Sequence, residues 1–172
     1  MLSFATTKMP GAELVLGDMT DFDLGTTFDV VACVFDTVNH LVNYEAWESL
    51  FQGVARHLKP GGLFIFDLNT IGRLHQLVAR PPWVDDFDGN TLIMDVRSEG
   101  DEVTLWDIRV FAPAGDGMFT LHQENIRELG VTLETVRTTL ATDFDLLHEV
   151  DDSGSPPTDE SPRAYFVYRR LG

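Results

Sequence analysis

The residues best placed to do chemistry follow two short apolar runs. Asp18 comes directly after the run 12–16 and Gly17, and Asn39 and His40 come soon after the run 28–35. A carboxylate at the end of a strand can accept hydrogen bonds from a ligand, and an imidazole can act as a general base near neutral pH. Each also has a simpler interpretation, because Gly-Asp is a common turn and Asn39 with His40 could cap a following helix. Both interpretations stay open at this point.

Two aromatic residues are candidates for a substrate pocket. Trp83 and Trp106 lie in the middle of the chain, and large aromatic side chains in such segments form either pocket walls or core. His57 and His75 have no ligand spacing with Cys33 or with carboxylates, so no metal site is expected.

Charge and composition exclude several classes of partner. The 172 residues contain 12 Lys and Arg against 28 Asp and Glu, which gives a net charge of −16. Such a surface repels phosphate backbones and anionic membranes, so neither nucleic acid nor membrane is expected as a partner. No apolar run approaches membrane-spanning length, and the lone Cys33 lies within an apolar run as a buried thiol would. These features predict a soluble protein of the reducing cytoplasm with one core.

The elements that must position these residues begin with a β-α-β unit. The run 28–35 is apolar on both alternating faces, which is typical of a buried strand in a parallel sheet. Residues 44–58 carry apolar side chains at helical spacing, with Asn43 placed to cap the helix. Lys59-Pro60-Gly61-Gly62 ends the helix and leads into a second run, GLFIFDL, that is apolar on both faces. The short run 12–16 is also predicted to be a strand.

The second half of the chain has a different pattern. Beyond Arg73, glycine-rich turns separate three runs of partial two-residue alternation, which predicts an antiparallel meander. In its middle strand Trp106 points one way, and Asp107 points to the opposite, solvent-facing side. Thr132 is placed to cap a helix that buries Leu133, Val136 and Leu140, and strands are predicted at 144–150 and near the chain's end. The stretch DDSGSPPTDESP between them is predicted to be a mobile loop.

Three successive segments resemble motifs of the class I S-adenosylmethionine (SAM)-dependent methyltransferases in order and spacing. They are LVLGDMTDF, FDVVACVFDTVNHL and VARHLKPGGLFIFDLNT. The later meander, helix and hairpin resemble a small-molecule subgroup with an inserted sheet lobe. The resemblance implies an α/β fold: an incomplete Rossmann-like sheet, whose first two strands are absent, with an inserted antiparallel β-meander. It divides the chain into a truncated core (1–79), the inserted lobe (80–129) and a helix with a β-hairpin that completes the core (130–172).

The resemblance also assigns roles to the residues above. It places Asp18 at the adenine amino group of SAM and Met19 against the adenine ring. It places Val34, Phe35 and Asp36 beside the methionine part and the sulfonium of the cofactor, with Asn39 and His40 near the methyl group. Trp83 and Trp106 stay candidates for the substrate pocket on their residue type alone. His40 is the candidate general base for a substrate that must lose a proton.

The family's glycine-rich loop falls, by this resemblance, before Met1. That loop lets the backbone approach the cofactor closely, because glycine has no Cβ atom. We therefore expect SAM binding to be impaired or absent in this chain, with Met1 either an internal methionine taken as a start or the beginning of a fragment.

The family's strand order gives a further expectation. Its missing strands would stand between the run 12–16 and the run 28–35, so strand 28–35 would expose an apolar edge unless something pairs with it. We expect the edge to be paired, either by the run 12–16 moving across or by a second copy of the chain in a homodimer. The sequence thus predicts a SAM-dependent methyltransferase-like protein acting on a small molecule; the alternative is a non-catalytic dimeric scaffold or regulatory remnant.

Overall fold

The computed structural model of the protein describes residues 2–172, with side chains from Phe4 onward. Met1, on which the expectation about the chain's start falls, lies outside the described residues. The helices are α1 (Leu2–Lys8), α2 (Tyr44–His57), α3 (Ile71–Val78) and α4 (Leu133–Leu140), with a 3₁₀ turn at Thr37–His40. The strands are β1 (Phe28–Cys33), β2 (Leu58–Asn69), β3 (Trp83–Phe87), β4 (Asn90–Ser98), β5 (Val103–Gly115), β6 (Met118–Leu129), β7 (Phe144–Asp151) and β8 (Arg163–Arg170).

The first sheet has the strand order β1-β2-β8-β7. β1 and β2 are parallel and joined through α2, so the predicted β-α-β unit is confirmed. β8 runs antiparallel between β2 and β7. Both predicted helix caps are present, since the Asn43 side chain accepts a hydrogen bond from the Ala46 N–H and Thr132 accepts one from the Thr135 N–H.

One face of this sheet carries the main core. Phe64, Phe66 and Phe166 stand on that face and stack on one another. α2 contributes Trp47 and Phe51 to the same cluster, and α4 contributes the predicted set Leu133, Val136 and Leu140. The apolar spacing in the sequence therefore correctly predicts which side chains of α2 and α4 pack on this face.

The second sheet is an antiparallel meander of four strands, β3-β4-β5-β6. The sequence indicated three runs, and β3 is the strand it missed. Asp107 of β5 is buried rather than solvent-facing, because it pairs with Arg109 and accepts a hydrogen bond from the Gln123 amide. The prediction for the Asp107 side of that strand was therefore wrong.

The predicted strand at 12–16 is absent. This segment is exposed and has no ladder partner, since the structure places a single bridge between Asp18 and Asp21 in this region. The expectation that this run moves across to pair with β1 is wrong, because β1 bonds only to β2 within residues 2–172. Pairing by a second copy of the chain stays a prediction.

The acidic loop 152–162 has no helix or strand, and hydrogen bonds tie it to its surroundings; its predicted mobility stays a prediction. The Asp159 carbonyl accepts a hydrogen bond from the Gly72 N–H, and the Asp159 carboxylate accepts one from the Leu133 N–H. The Thr70 hydroxyl donates to the Ser161 carbonyl. The loop therefore joins the beginnings of α3 and α4. Among the described helices, none is both long and apolar enough to cross a membrane.

A substitution at Gly72 tests the packing of the loop 152–162 against the beginning of α3. A Cβ atom at Gly72 would overlap the Asp159 carbonyl oxygen and come within 2.8 Å of the Glu160 carboxylate. Alanine normally favours a helix over glycine by about 0.5–1 kcal/mol, but here the overlap reverses the sign. We expect Gly72→Ala to lower the free energy of unfolding by about 1–3 kcal/mol in urea denaturation.

Gly11→Ala is the matched control, because nothing lies within 4 Å of a Cβ atom at Gly11. Its change should stay within about 0.5 kcal/mol. Equal stabilities of the two variants would show that the loop does not press on α3.

Candidate functional site

The site is organised by Asp67, near the carboxyl end of β2. Its buried carboxylate accepts hydrogen bonds from the Phe35 N–H at 2.7 Å and the Asp36 N–H at 3.1 Å. Phe35 and Asp36 both have left-handed backbone, with φ of 62° and 48°, which non-glycine residues adopt only when neighbouring groups hold them there. Asp67 therefore fixes the turn that follows β1 and directs Asp36 toward the end of β2.

Arg163, at the start of β8, neutralises this pair of acids. Its guanidinium donates to Asp67 and, at 2.8 Å, to Asp36. A third bond, of 3.3 Å, reaches the Asn69 side-chain oxygen. The planar guanidinium holds its N–H donors in a fixed geometry, so it can bind two carboxylates at once. Arg163 therefore joins the ends of β1, β2 and β8.

Glu128 enters the site from the other sheet, at the end of β6. It is 3% exposed, and its Oε2 accepts a hydrogen bond of 2.9 Å from the Asn69 amide, which also donates to Asp36. Burial, together with the nearby charge of Asp36 and a hydrogen bond between the two side chains, raises the pKa of Glu128 to about 7. Glu128 can therefore hold or release a proton at neutral pH.

His40 completes the cluster at its exposed side. One imidazole nitrogen and one oxygen from each of Asp36 and Glu128 all lie within 4.8 Å of one another. By distance this set could hold a metal ion, which the sequence did not suggest. Arg163 already pairs with Asp36 and Asn69 already binds both carboxylates, so the donors face competitors that a divalent ion would have to displace.

Asn39 is a structural member of the same region. It is fully buried, its amide donates to the carbonyls of Asn69 and Leu129, and its oxygen accepts from the Asn69 N–H. These three bonds hold the 3₁₀ turn between the ends of β2 and β6. The predicted contact of Asn39 with the cofactor stays a prediction.

The other residues predicted to bind the cofactor lie on the exposed side. Asp18 accepts 2.8 Å hydrogen bonds from the Thr20 N–H and hydroxyl, and these hold the pKa of its carboxyl below the ordinary value. Met19 packs against the main core. Val34 and Phe35 are exposed, Phe35 by 80%, which is unusual for a phenylalanine at the end of a strand.

The two residues predicted to contact the substrate, Trp83 and Trp106, have different surroundings. Trp83 is 52% exposed and lines a cavity of about 550 Å³ between α3 and the second sheet. Trp106 is half-buried, and its indole N–H donates to the Thr104 hydroxyl. It does not line that cavity.

Four residues of the cluster were missed from the sequence: Asp67, Asn69, Glu128 and Arg163. The pattern Asp67-Leu68-Asn69 carries a signal, because alternate polar residues at the end of an apolar parallel strand share one side of the sheet. Glu128 and Arg163 carry no local signal, since each reaches the cluster only through the fold.

Comparison with known proteins agrees with this architecture. Residues 1–62 match the methyltransferase domain family. A SAM-dependent methyltransferase structure from Clostridium acetobutylicum superposes with a TM-score of 0.89 at 23% identity, covering 99% of this chain and 71% of that one. The chain therefore has the fold of the class I SAM-dependent methyltransferases, and the resemblance drawn from the sequence is confirmed.

Two curated relatives refine the comparison. The N,N-dimethyltransferase of dTDP-4-amino-2,3,4,6-tetradeoxy-D-glucose from Saccharopolyspora spinosa is 33% identical over 67 residues, which are 39% of this chain and 27% of that protein. The putative methyltransferase YqeM of Bacillus subtilis is 25% identical over 175 residues, covering 96% of this chain and 70% of that protein. The chain thus spans about a quarter of the length of the amino-sugar enzyme it matches.

The raised pKa of Glu128 predicts how stability depends on pH. The folded protein keeps the proton up to about pH 7, whereas the unfolded chain releases it near the ordinary glutamate value of 4.5. Between these values the unfolded state binds fewer protons, so the free energy of unfolding falls as the pH rises. Glu128→Gln resembles the protonated side chain, so this variant should be more stable than the parent at pH 8 by about 1–3 kcal/mol and nearly equal to it at pH 4, below the pKa of the unfolded glutamate.

Urea denaturation at both pH values measures the difference. Glu124→Gln, on the exposed part of β6, is the control and should follow the parent at both. Parallel pH curves for Glu128→Gln and the parent would contradict a raised pKa.

Proposed function

We propose that this chain carries the acceptor side of a SAM-dependent methyltransferase that methylates an amine on a small molecule. The observation that carries the proposal is that the buried carboxyl of Glu128, at the end of β6, and the partly buried carboxyl of Asp36, shortly after β1, both accept hydrogen bonds from the Asn69 amide. Two neighbouring carboxyl groups, one of them with a pKa near 7, suit a cationic amine that must lose a proton.

The relatives support the same direction. The Saccharopolyspora spinosa enzyme is named as an N,N-dimethyltransferase of an amino sugar, and so is a relative from Streptomyces fradiae that is 34% identical over 67 residues. Both matches cover less than a third of those proteins, so the proposed substrate is argued from the residues of this chain.

The residues present fit the adenine and methionine sides of SAM. Asp18 is an exposed, readily ionised acceptor, and Val34 and Phe35 offer an exposed apolar surface beside Asp36. We propose that Asp18 and Met19 hold the adenine and that Val34, Phe35 and Asp36 hold the methionine part, with Asn39 shaping the floor between them. When bound there, SAM supplies a methyl group activated by its sulfonium.

The chain's own groups then handle the acceptor. An alkylammonium has a pKa near that of lysine, about 10, so it arrives protonated and cannot attack. Asp36 attracts the ammonium, and Glu128 accepts its proton. The lone pair freed on the nitrogen could then accept the methyl group that bound SAM would supply. His40, at the exposed rim, is a second proposed proton acceptor that can pass the proton to water.

Glu128→Gln tests this role. The glutamine keeps the shape of the site but cannot accept a proton, so we expect the rate of methyl transfer to an amino sugar to fall by about 10²–10⁴-fold. The measurement is transfer of a labelled methyl group from SAM, with SAM binding followed by calorimetry. SAM affinity should not change, because Glu128 belongs to the acceptor side.

Glu124→Gln is again the control and should keep the parent rate. Loss of SAM binding in Glu128→Gln, or an unchanged rate, would contradict the proposed role. No heat with SAM in the parent chain would contradict catalytic competence of the 172 residues on their own.

A dimeric scaffold or regulatory subunit is the second candidate function. Its supporting observation is β1, whose outer edge has no partner within the described residues and whose Val30 is 50% exposed. Behind that edge, Ile65, Tyr165 and Val167 line an open apolar cavity of about 450 Å³ on the sheet face opposite the main core. An unpaired apolar edge of this kind favours pairing with a second copy across a two-fold axis.

The dimer prediction can be tested by mass. A homodimer would double the chain's 19.3 kDa in light scattering at micromolar concentration. Val30→Lys places a charge on the β1 edge and should return the mass to that of a monomer. Leu147→Lys, at a residue 47% exposed on β7 at the opposite edge, is the matched control and should leave the dimer intact. A monomeric parent, or dissociation by Leu147→Lys alone, would contradict the β1 interface.

We also propose a cytoplasmic location for the protein. Cys33 is the chain's single cysteine, and burial, followed by the charge of Asp67, raises the pKa of its thiol to about 11. Because it is the single cysteine, Cys33 has no disulfide partner within the chain. A single thiol that stays protonated suits a reducing compartment.

A further inference from the structure

His57 is a buried side chain that can carry a proton and that the proposed mechanism does not use. It is the last residue of α2 and is 4% exposed. Its Nδ1 lies 2.8 Å from the Gly53 carbonyl oxygen, and its Nε2 lies 2.9 Å from the Leu24 backbone nitrogen. Both ring nitrogens are therefore in hydrogen bonds, one within α2 and one with a residue 33 positions earlier in the chain.

These two partners determine which ring nitrogen carries the proton. A carbonyl oxygen can only accept a hydrogen bond, so Nδ1 must be the nitrogen that donates to Gly53. A backbone N–H can only donate, so Nε2 must be the bare nitrogen that accepts from Leu24. The Asp23 carboxylate lies 3.5 Å from the same Nε2, and the two cannot bond while neither atom carries a proton.

The segment 18–25, which precedes β1, is folded on itself. Its carboxylates Asp18 and Asp23 each accept a hydrogen bond from the backbone N–H two residues later. Among the described residues, the bond from Leu24 to His57 is the only hydrogen bond that joins this segment to the rest of the chain. The local turns therefore shape the segment, whereas His57 attaches it to the fold.

Phe22 packs the same segment against α2. Its ring centroid lies 4.7 Å from that of His57. A Cβ atom at Gly53 would come within 2.8 Å of the Phe22 ring, so the glycine leaves the space that this ring fills. Met19 also packs against the main core. The segment thus meets the end of α2 through apolar packing and a single directional bond.

We propose that His57 is a positioning residue for the cofactor: by accepting the Leu24 N–H, it holds the segment 18–25 where Asp18 and Met19 can meet the adenine of SAM. This inference rests on the proposed function, which assigns the adenine to these two residues. Asp18 is exposed and bonds only within its own turn, so the placement of that turn comes from the contact with α2. His57 acts through Leu24 and does not touch the cofactor.

A matched pair of variants tests the role of Nε2. The asparagine amide stands near the position of Nδ1, so His57→Asn keeps a donor for Gly53 but leaves Leu24 without an acceptor. The longer glutamine side chain places its oxygen near the position of Nε2, so His57→Gln keeps that acceptor. We expect amide hydrogen exchange at Leu24 to be about tenfold faster in His57→Asn than in the parent, and to stay within about threefold of the parent in His57→Gln.

SAM affinity, measured by calorimetry on the full chain, is the second readout. His57→Asn should weaken SAM binding by about fivefold to tenfold, the factor that one net hydrogen bond contributes, and His57→Gln should stay within about twofold of the parent. A general loss of packing would weaken binding in both variants alike, so rescue by glutamine separates positioning from stability. Arg56→Gln changes the neighbouring residue of α2 and should leave both readouts at the parent values.

The possible failures point to different statements. Equal exchange at Leu24 in His57→Asn and the parent would overturn the role of the hydrogen bond. Equal SAM affinity in those two proteins, or equally weak binding in His57→Asn and His57→Gln, would overturn the link to the cofactor. These results leave the proposed function intact. Absence of SAM binding in the parent would overturn the proposed function of this chain, and the cofactor role of His57 with it.

Discussion

The carboxylate of Asp67 is the interaction on which the site depends. A buried carboxylate without donors costs several kcal/mol, and Asp67 avoids that cost by accepting two backbone N–H groups and the Arg163 guanidinium. In doing so it holds Phe35 and Asp36 in left-handed backbone, a conformation they would not adopt alone. The direction of the Asp36 side chain follows from that turn.

The turn after β1 then determines how the two sheets meet. Asp36 and Asn69 together form the surface that receives Glu128 from β6, and Asn39 binds the carbonyls of Asn69 and Leu129 beneath them. The second sheet thereby brings a buried acid to the strand ends of the first sheet. Burial, together with the nearby charge of Asp36, raises the pKa of Glu128 to about 7. The same packing that joins the sheets thus creates the group that can exchange a proton.

Much of the fold could be predicted from local sequence patterns. The β-α-β unit, the caps at Asn43 and Thr132 and the apolar face of α4 follow from spacing that each element carries within itself. The run 12–16 has the composition of a strand, but it finds no partner strand within one chain, and a strand cannot form without one. Asp107 was misplaced for a similar reason, since its burial depends on Arg109 and on Gln123 from the next strand.

The site could be predicted only in part. Asp36, Asn39 and His40 follow β1 closely, as the sequence indicates, and their contacts with the cofactor and substrate stay predictions. Arg163 meets Asp67 across 96 residues, and Glu128 meets Asn69 across 59, so no local pattern connects them. Their roles follow from the antiparallel pairing of β8 with β2 and from the approach of β6.

The most direct test of this account is the titration of Glu128 itself. Carbon-13 NMR of the glutamate side-chain carboxyls, with the Glu128 signal assigned by its loss in Glu128→Gln, reports the protonation of that group alone. We expect a midpoint near pH 7 that falls when a cationic amine binds beside Glu128, since the added positive charge favours the carboxylate. A midpoint at the ordinary glutamate value, unchanged by the amine, would contradict it.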